Sequence, residues 1–232
     1  MLAATPYRSV ESGTAGVVQG RAGAVRAVVR DGIAGCAHAE AAPVPAPDGR
    51  SAVRTLIAYA SRYGSTREIA EAINEVLDKR GVAADVRPAA EVAKLEGYDA
   101  VVLGSALYGG GWLDDAVEFL ESFQEELARR SVWLFSSGPT EAGDPVAALG
   151  GWRFPEELAP LAGAIGARDT ALFAGRIDPD QLSMQDWLIN RSMRGAGGDF
   201  RDFAQIRTWA ANVAHALSDE AGDAVSGSPT GT

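Results

Sequence analysis

One cysteine, Cys36, stands in 232 residues, so no intramolecular disulfide can form and paired-cysteine redox and zinc motifs are excluded. The two histidines, His38 and His215, lie far apart, so a histidine-based metal site is not expected. Lysine is almost missing: Lys79 and Lys94 are the whole complement, and every other cation is arginine. Against 21 Lys+Arg stand 31 Asp+Glu, a net charge of −10, and no basic run exceeds a pair. Proteins that displace counterions from nucleic-acid phosphates need clustered cations, so no nucleic-acid partner is expected. A long apolar run is also lacking. No stretch approaches the roughly 18 apolar residues of a membrane span, and no basic start leads into a compact apolar segment. The expected location is cytoplasmic.

What is present is ordinary for a globular protein, with 47% hydrophobic and 22% charged residues. That suffices for a core without a disulfide or metal staple. Residues 1–52 show no sustained period and read as a low-order N-terminal extension. Val17–Ile33 is weakened as a helix by Gly20, Gly23 and Gly32, and Ala42–Pro47 is an extended proline-rich linker. Residues 218–232, rich in Ser, Gly, Asp and Pro, read as a disordered tail. The working domain is therefore 53–217.

Inside it, strands alternate with helices. Arg54–Tyr59, Ala84–Pro88, Ala100–Gly104, Ser131–Ser136 and Thr170–Ala174 read as strands, and Ala-Val-Val-Leu at 100–103 is apolar on both faces, as a central parallel strand requires. Ser65–Arg80, Leu113–Arg130, Pro155–Gly166 and Phe203–Leu217 carry helical spacing, the first through Ile69, Ile73, Val76 and Leu77. This alternation predicts an α/β fold with a five-stranded parallel sheet and right-handed crossovers, in the order 2-1-3-4-5. That order places a ligand at the carboxyl ends of strands 1, 3 and 4.

Three loops lie there. The first is Ser61-Arg62-Tyr63-Gly64-Ser65-Thr66. Hydroxyls and a permissive glycine at a helix N-terminus suit a phosphate; alternatively, Ser65 and Glu68 form a capping box with no ligand at all. It is neither a P-loop nor a dinucleotide-binding glycine loop. The second, Gly104-Ser105-Ala106-Leu107-Tyr108-Gly109-Gly110-Gly111-Trp112, offers backbone amides between two aromatics. Either a flat aromatic ligand stacks there, or the loop is flexible with hydrophobic anchors, the reading favoured for Trp112 but not for Tyr108. The third is Ser136-Ser137-Gly138-Pro139-Thr140. A receiver domain shares the strand order, but Gly104-Ser105 stands where its phosphoaccepting Asp belongs.

Taken together, these residues resemble the flavodoxin superfamily. Ser61–Thr66 is similar to its [ST]-x-T-G-x-T phosphate loop, with Tyr63 in place of the usual Thr. Gly104–Trp112 and Val132–Pro139 resemble its two flavin-ring loops. Phe173-Ala174-Gly175-Arg176 and Gly198-Asp199-Phe200-Arg201-Asp202 resemble the subgroup that includes menaquinone-dependent protoporphyrinogen dehydrogenase. The resemblance implies a flavodoxin-like three-layer sandwich holding FMN. Its phosphate would lie on residues 61–66, and its ring between Ser105–Gly110 and Ser136–Pro139. The activity implied is that of a flavin-dependent oxidoreductase with a small-molecule redox substrate, of protoporphyrinogen type, and a quinone acceptor. Arg62 either assists the phosphate or points to solvent. The second ring loop carries no aromatic, which leaves one ring face open to substrate and departs from small electron carriers. An electron carrier between redox proteins and a flavin-free interaction domain stand as alternatives.

The segment Ile177–Gly198 is longer than a plain flavodoxin needs. With Leu182, Met184, Trp187, Leu188, Ile189 and Met193 beside Arg191 and Arg194, it reads as a cap packed on the domain, or as a peripheral membrane contact near a quinone. Asp199 reads as the N-cap of the last helix.

Overall fold

The computed structural model describes residues 53–138, 143–192 and 197–226. The N-terminal extension, Pro139, Thr140, Met193 and Arg194 lie outside the described residues, as does the tail from residue 227.

The chain opens with β1 (Arg54–Ala60), α1 (Ser65–Lys79) and β2 (Ala83–Pro88). β3 (Ala100–Tyr108), a two-residue β4 (Gly111–Trp112), α2 (Asp114–Ser122) and α3 (Gln124–Leu127) follow. Next come β5 (Ser131–Ser137), α4 (Pro145–Ala148), α5 (Ala159–Ala164) and β6 (Asp169–Phe173). The chain then makes β7 (Arg176–Ile177), α6 (Met184–Ser192), β8 (Gly198–Asp199) and α7 (Phe203–Ser226). The main sheet is ordered β2-β1-β3-β5-β6, with all four neighbouring pairs parallel. Leaving out the small antiparallel β4, this is the expected 2-1-3-4-5 order.

Strand alternation builds the layers. Ile57, Val102, Trp133 and Phe135 pack toward Ile69, Ile73 and Leu77 of α1 and Ile206, Ala210 and Val213 of α7. Their neighbours Leu56, Val101, Leu103 and Leu134 pack toward Ala116, Phe119 and Leu120 of α2 and toward Leu127, Leu158 and Ile165. Period-two strands thus feed two cores, one on each sheet face. Gly104 sits at the sheet centre because a Cβ there would overlap the Phe135 ring.

Four differences from the sequence expectations have local causes. The expected Leu113–Arg130 helix breaks at Phe123 (φ −107°, ψ 14°) into α2 and α3. Its end is set by Arg130, which donates to the carbonyls of Tyr98, Leu95 and Glu126. The expected Pro155–Gly166 helix is a 3-10 turn over Glu156–Leu158 followed by α5. The last helix runs to Ser226 rather than yielding to a disordered tail at Ser218, because Glu220 pairs with Arg168 and accepts from Ser131 Oγ. Asp199 is not the cap of α7: Asp202 accepts from the amides of Ala204 and Gln205 instead.

Candidate functional site

β1 delivers the chain to the top of the sheet at Ala60, and α1 starts at Ser65. Gly64 makes the turn at φ 82°, where a Cβ would meet nothing within 4 Å, so the constraint there is purely conformational. No side chain caps α1. The amides of Ser65, Thr66 and Arg67, ahead of the first helical bond from Glu68 to the Gly64 carbonyl, stand at the positive end of the helix dipole. The capping-box alternative is not formed. Ser65 Oγ accepts from the Arg176 amide at 3.1 Å, and Glu68 pairs with Arg176 at 3.0 Å and with Arg201 at 2.9 Å. Thr66 is fully buried, and its Oγ1 has no hydrogen-bond partner. A buried hydroxyl in that condition costs about 1–3 kcal/mol, a penalty that a bound acceptor or donor would remove. A cavity of about 260 Å³ opens beside this turn, lined by Ser61 and Gly64 with Tyr59, Arg67, Pro88 and Asp115.

The loop after β3 is a hairpin rather than a flexible excursion. Leu107 pairs with Trp112 and Tyr108 with Gly111. Gly109 (φ 62°) and Gly110 (φ 92°) supply the two positive φ angles of a tight hairpin turn. The hydroxyls in and beside it are consumed internally. Ser105 Oγ donates to the Ala106 carbonyl at 2.9 Å and accepts from the Leu113 amide at 3.0 Å. Ser136 Oγ accepts from Trp112 Nε1 at 2.9 Å, and Trp112 also packs edge-on against Phe154. Trp112 is thus a buried anchor, while Tyr108 is 37% exposed. The third loop approaches closely: a Cβ on Gly138 would overlap Leu107, and the Gly138 amide is fixed to the Phe173 carbonyl at 2.9 Å. Ser137 pairs with Ala106 across the sheet, so both ring-loop candidates leave from one level.

A fourth element reaches the same place. β7 and β8 pair antiparallel, and α6 is carried on the excursion between them. Asp186 of α6 accepts from Arg62 at 3.0 and 3.1 Å, from Tyr63 Oη at 2.5 Å and from Ser183 Oγ at 3.0 Å. The Ser183 amide donates back to Tyr63 Oη at 3.0 Å. The Tyr63 hydrogen bond, with help from Ser183 and Arg62, holds the Asp186 carboxyl below its ordinary range. Arg62 also lies over the Tyr108 ring, 5.0 Å from its centroid. Burial, and then the Asp186 charge, push the Tyr108 phenol up to about 12, so it remains a donor at neutral pH.

These loops converge at the carboxyl ends of parallel strands, and a family model described as "Flavodoxin domain" matches residues 56–202. The chain belongs to the flavodoxin domain family. Among curated relatives, protoporphyrinogen IX dehydrogenase [quinone] of Escherichia coli (strain K12) is 26% identical over 190 residues, covering 72% of this chain and 98% of the relative. Among solved structures, an archaeal flavodoxin is 17% identical with a TM-score of 0.44, covering 72% of this chain and 99% of that one. Rubredoxin oxygen:oxidoreductase from Desulfovibrio gigas is 16% identical with a TM-score of 0.48. It covers 72% of this chain, and this chain spans 36% of its length.

Within this flavodoxin domain, the structure brings Ser61, Gly64, Ser65 and Thr66 to one turn, and Leu107 against Gly138 beside it. Arg62 is paired with Asp186, as is Tyr63, while about half of the Arg62 side chain stays open to solvent. Ser105 and Ser136 shape the loops from inside. Sequence reading missed Asp186, Glu68 and Arg201 as parts of the site. Arg201 is nearly buried and joins Asp199 of β8 to Glu68 of α1, which ties the base of the excursion to the loop. For α6, a signal was available: Ser183-x-x-Asp186 is a helix-start pattern, and Ser183 Oγ does accept from the Asp186 amide at 3.1 Å.

Proposed function

We propose that this flavodoxin domain binds FMN and acts as a flavin-dependent oxidoreductase. The observation that supports this most directly is the turn at Gly64. An uncapped helix start and a buried, unpartnered Thr66 hydroxyl lie in a chain whose family is defined by a flavodoxin domain. The residues present fit the group. Ser61, Ser65, Thr66 and the amides of residues 61–66 would take the phosphate, with Arg62 and Tyr63 at the outer side. Ser105, Ala106, Leu107, Tyr108, Gly109 and Gly110 would border the ring on one side, and Ser136, Ser137 and Gly138, with Pro139, on the other. Ser105 and Ser136 serve by holding the backbone. When bound, FMN supplies hydride and electron transfer, and the protein supplies binding, orientation and electrostatics.

The substrate class follows the E. coli relative, whose name gives a protoporphyrinogen donor and a quinone acceptor. Two features of this chain support an apolar acceptor. The second ring loop brings small residues rather than an aromatic to the site, which leaves a ring face accessible. On α6, Met184, Trp187 and Leu188 are 80%, 38% and 55% exposed at i, i+3 and i+4 spacing, a stripe suited to an apolar or peripheral-membrane encounter. No helix among the described residues is long and apolar enough to cross a membrane.

The deciding experiment is the visible spectrum of the full chain after reconstitution with FMN and desalting. It is followed by protoporphyrinogen oxidation with menadione as acceptor. Retained flavin absorbance with turnover is the expected result. A colourless chain would remove the cofactor assignment; retained flavin that neither oxidises protoporphyrinogen nor reduces quinones would remove the substrate class. Vesicle binding that survives deletion of Ile177–Gly198 would remove the membrane role of that segment.

A further inference from the structure

The Asp186 carboxylate is itself an anion resting on the outer side of the loop assigned to a phosphate. It receives donors from two consecutive loop residues, Arg62 and Tyr63, and from Ser183, and its side chain is only 11% exposed. The Arg62 side chain, by contrast, is 51% exposed. It touches Asp186 and the Tyr108 face at once and is not buried in the core. Arg62 is also the cation carried by residues 61–66. Two negative groups approaching one guanidinium on one short loop repel each other and share a single partner.

Resting on the FMN reading above, we infer that Asp186 competes with the cofactor's phosphate for Arg62, so that phosphate entry loosens the first turn of α6. The consequence is linkage between loop and excursion: whatever the phosphate does to α6, α6 must do to phosphate affinity. Asp186 is therefore a positioning residue that sets cofactor discrimination and the order of the element over the site, without touching the reacting ring. The stripe of Met184, Trp187 and Leu188 rides on the same turn, so cofactor loading and presentation of that stripe move together. The base of the excursion is held separately by Arg201, Asp199 and Glu68, so the loosening stays within α6 rather than freeing the whole segment.

The test uses the full chain, FMN and riboflavin, which lacks the phosphate. Hydrogen exchange over residues 183–188 should speed up when FMN binds and stay unchanged with riboflavin. Asp186→Asn should speed exchange there without any ligand. It should also tighten FMN by about five-fold or more, the low end of ordinary inter-site coupling, while leaving riboflavin affinity unchanged. In an Arg62→Ala background the FMN gain should disappear. A residue with a merely structural role would also loosen α6 when replaced, but would weaken FMN binding instead of tightening it. Bound FMN with unaltered or greater protection of residues 183–188, or weaker FMN binding in Asp186→Asn, overturns the competition and leaves the cofactor reading standing. Failure of both proteins to retain FMN overturns the cofactor reading and the competition with it.

Discussion

The loop after β1 and the loop after β3 look alike in sequence, each with small residues, hydroxyls and glycine, yet their hydroxyls have different fates. Around the second loop they face inward. Ser105 ties the Ala106 carbonyl to the Leu113 amide, and Ser136 receives Trp112 Nε1. In the first loop Thr66 is buried without a partner, α1 is uncapped, and the outer side chains are held by a remote aspartate. A satisfied loop is scaffold. A loop that tolerates an unsatisfied buried hydroxyl carries a cost that a ligand would relieve. The contrast supports the proposed anion site at the first loop and the proposed wall-holding part of the second.

That contrast can be attacked by mutation. The largest effect should come from the floor of the second loop. Gly104→Ala drives a methyl into the fully buried Phe135 ring, and overpacking of this kind costs about 1–3 kcal/mol or more, read as a lower urea midpoint. Ser136→Ala should cost about 2 kcal/mol by the same measurement, because the buried Trp112 indole loses its acceptor. Gly64→Ala places a Cβ in open space at φ 82°. It should cost about 1–2 kcal/mol from backbone strain alone, with FMN retention after desalting falling further than stability does.

Thr66→Val is the sharpest comparison with Ser136→Ala. The unliganded protein should gain stability, by about 1–3 kcal/mol, since the hydroxyl removed is buried and makes no bond there, while FMN affinity drops about ten-fold, equivalent to ~1.4 kcal/mol. A Thr66→Val variant as destabilised as Ser136→Ala, with FMN affinity intact, would erase the distinction between the loops. The smallest effect is local and depends on pH. The folded Asp186 carboxyl lies below its ordinary value. Its anchoring of α6 is therefore complete above the unfolded Asp pKa of about 3.9 and drains away as pH falls through the lower folded value. Hydrogen-exchange protection of residues 183–188, corrected for intrinsic rates, should follow that course in the wild type and lose it in Asp186→Asn.

Much of the fold could be read along the chain because its signals are local. Ile69, Ile73, Val76 and Leu77 lie on one stripe of α1, and Ala100–Leu103 is apolar throughout, as a strand covered on both faces must be. Turn chemistry was equally legible at Gly64, whereas Gly109-Gly110 read only as a ligand-stacking or flexible loop and proved to be a hairpin turn once β4 paired with β3. Misreadings arose where distant groups decided the outcome. Phe123 breaks a continuous helical pattern just ahead of α3, and Arg130 ends it on the carbonyls of Leu95 and Tyr98. Glu68 has the spacing of a capping partner for Ser65, but Arg176 of β7 and Arg201, just after β8, claim it.

The sequence by itself determined the element alternation, the parallel sheet and the three strand ends at which the proposed site lies, since hydrophobic period and glycine placement act over a few residues. Tertiary structure alone decided which hydroxyls are engaged and which are left without a partner, because that depends on groups brought together across the sheet. It also decided that Asp186, more than a hundred residues from Arg62 in the chain, rests on the Arg62 and Tyr63 side chains. Charge pairs of that kind leave no periodic trace in sequence; they exist only once the backbone has placed both partners within hydrogen-bonding distance.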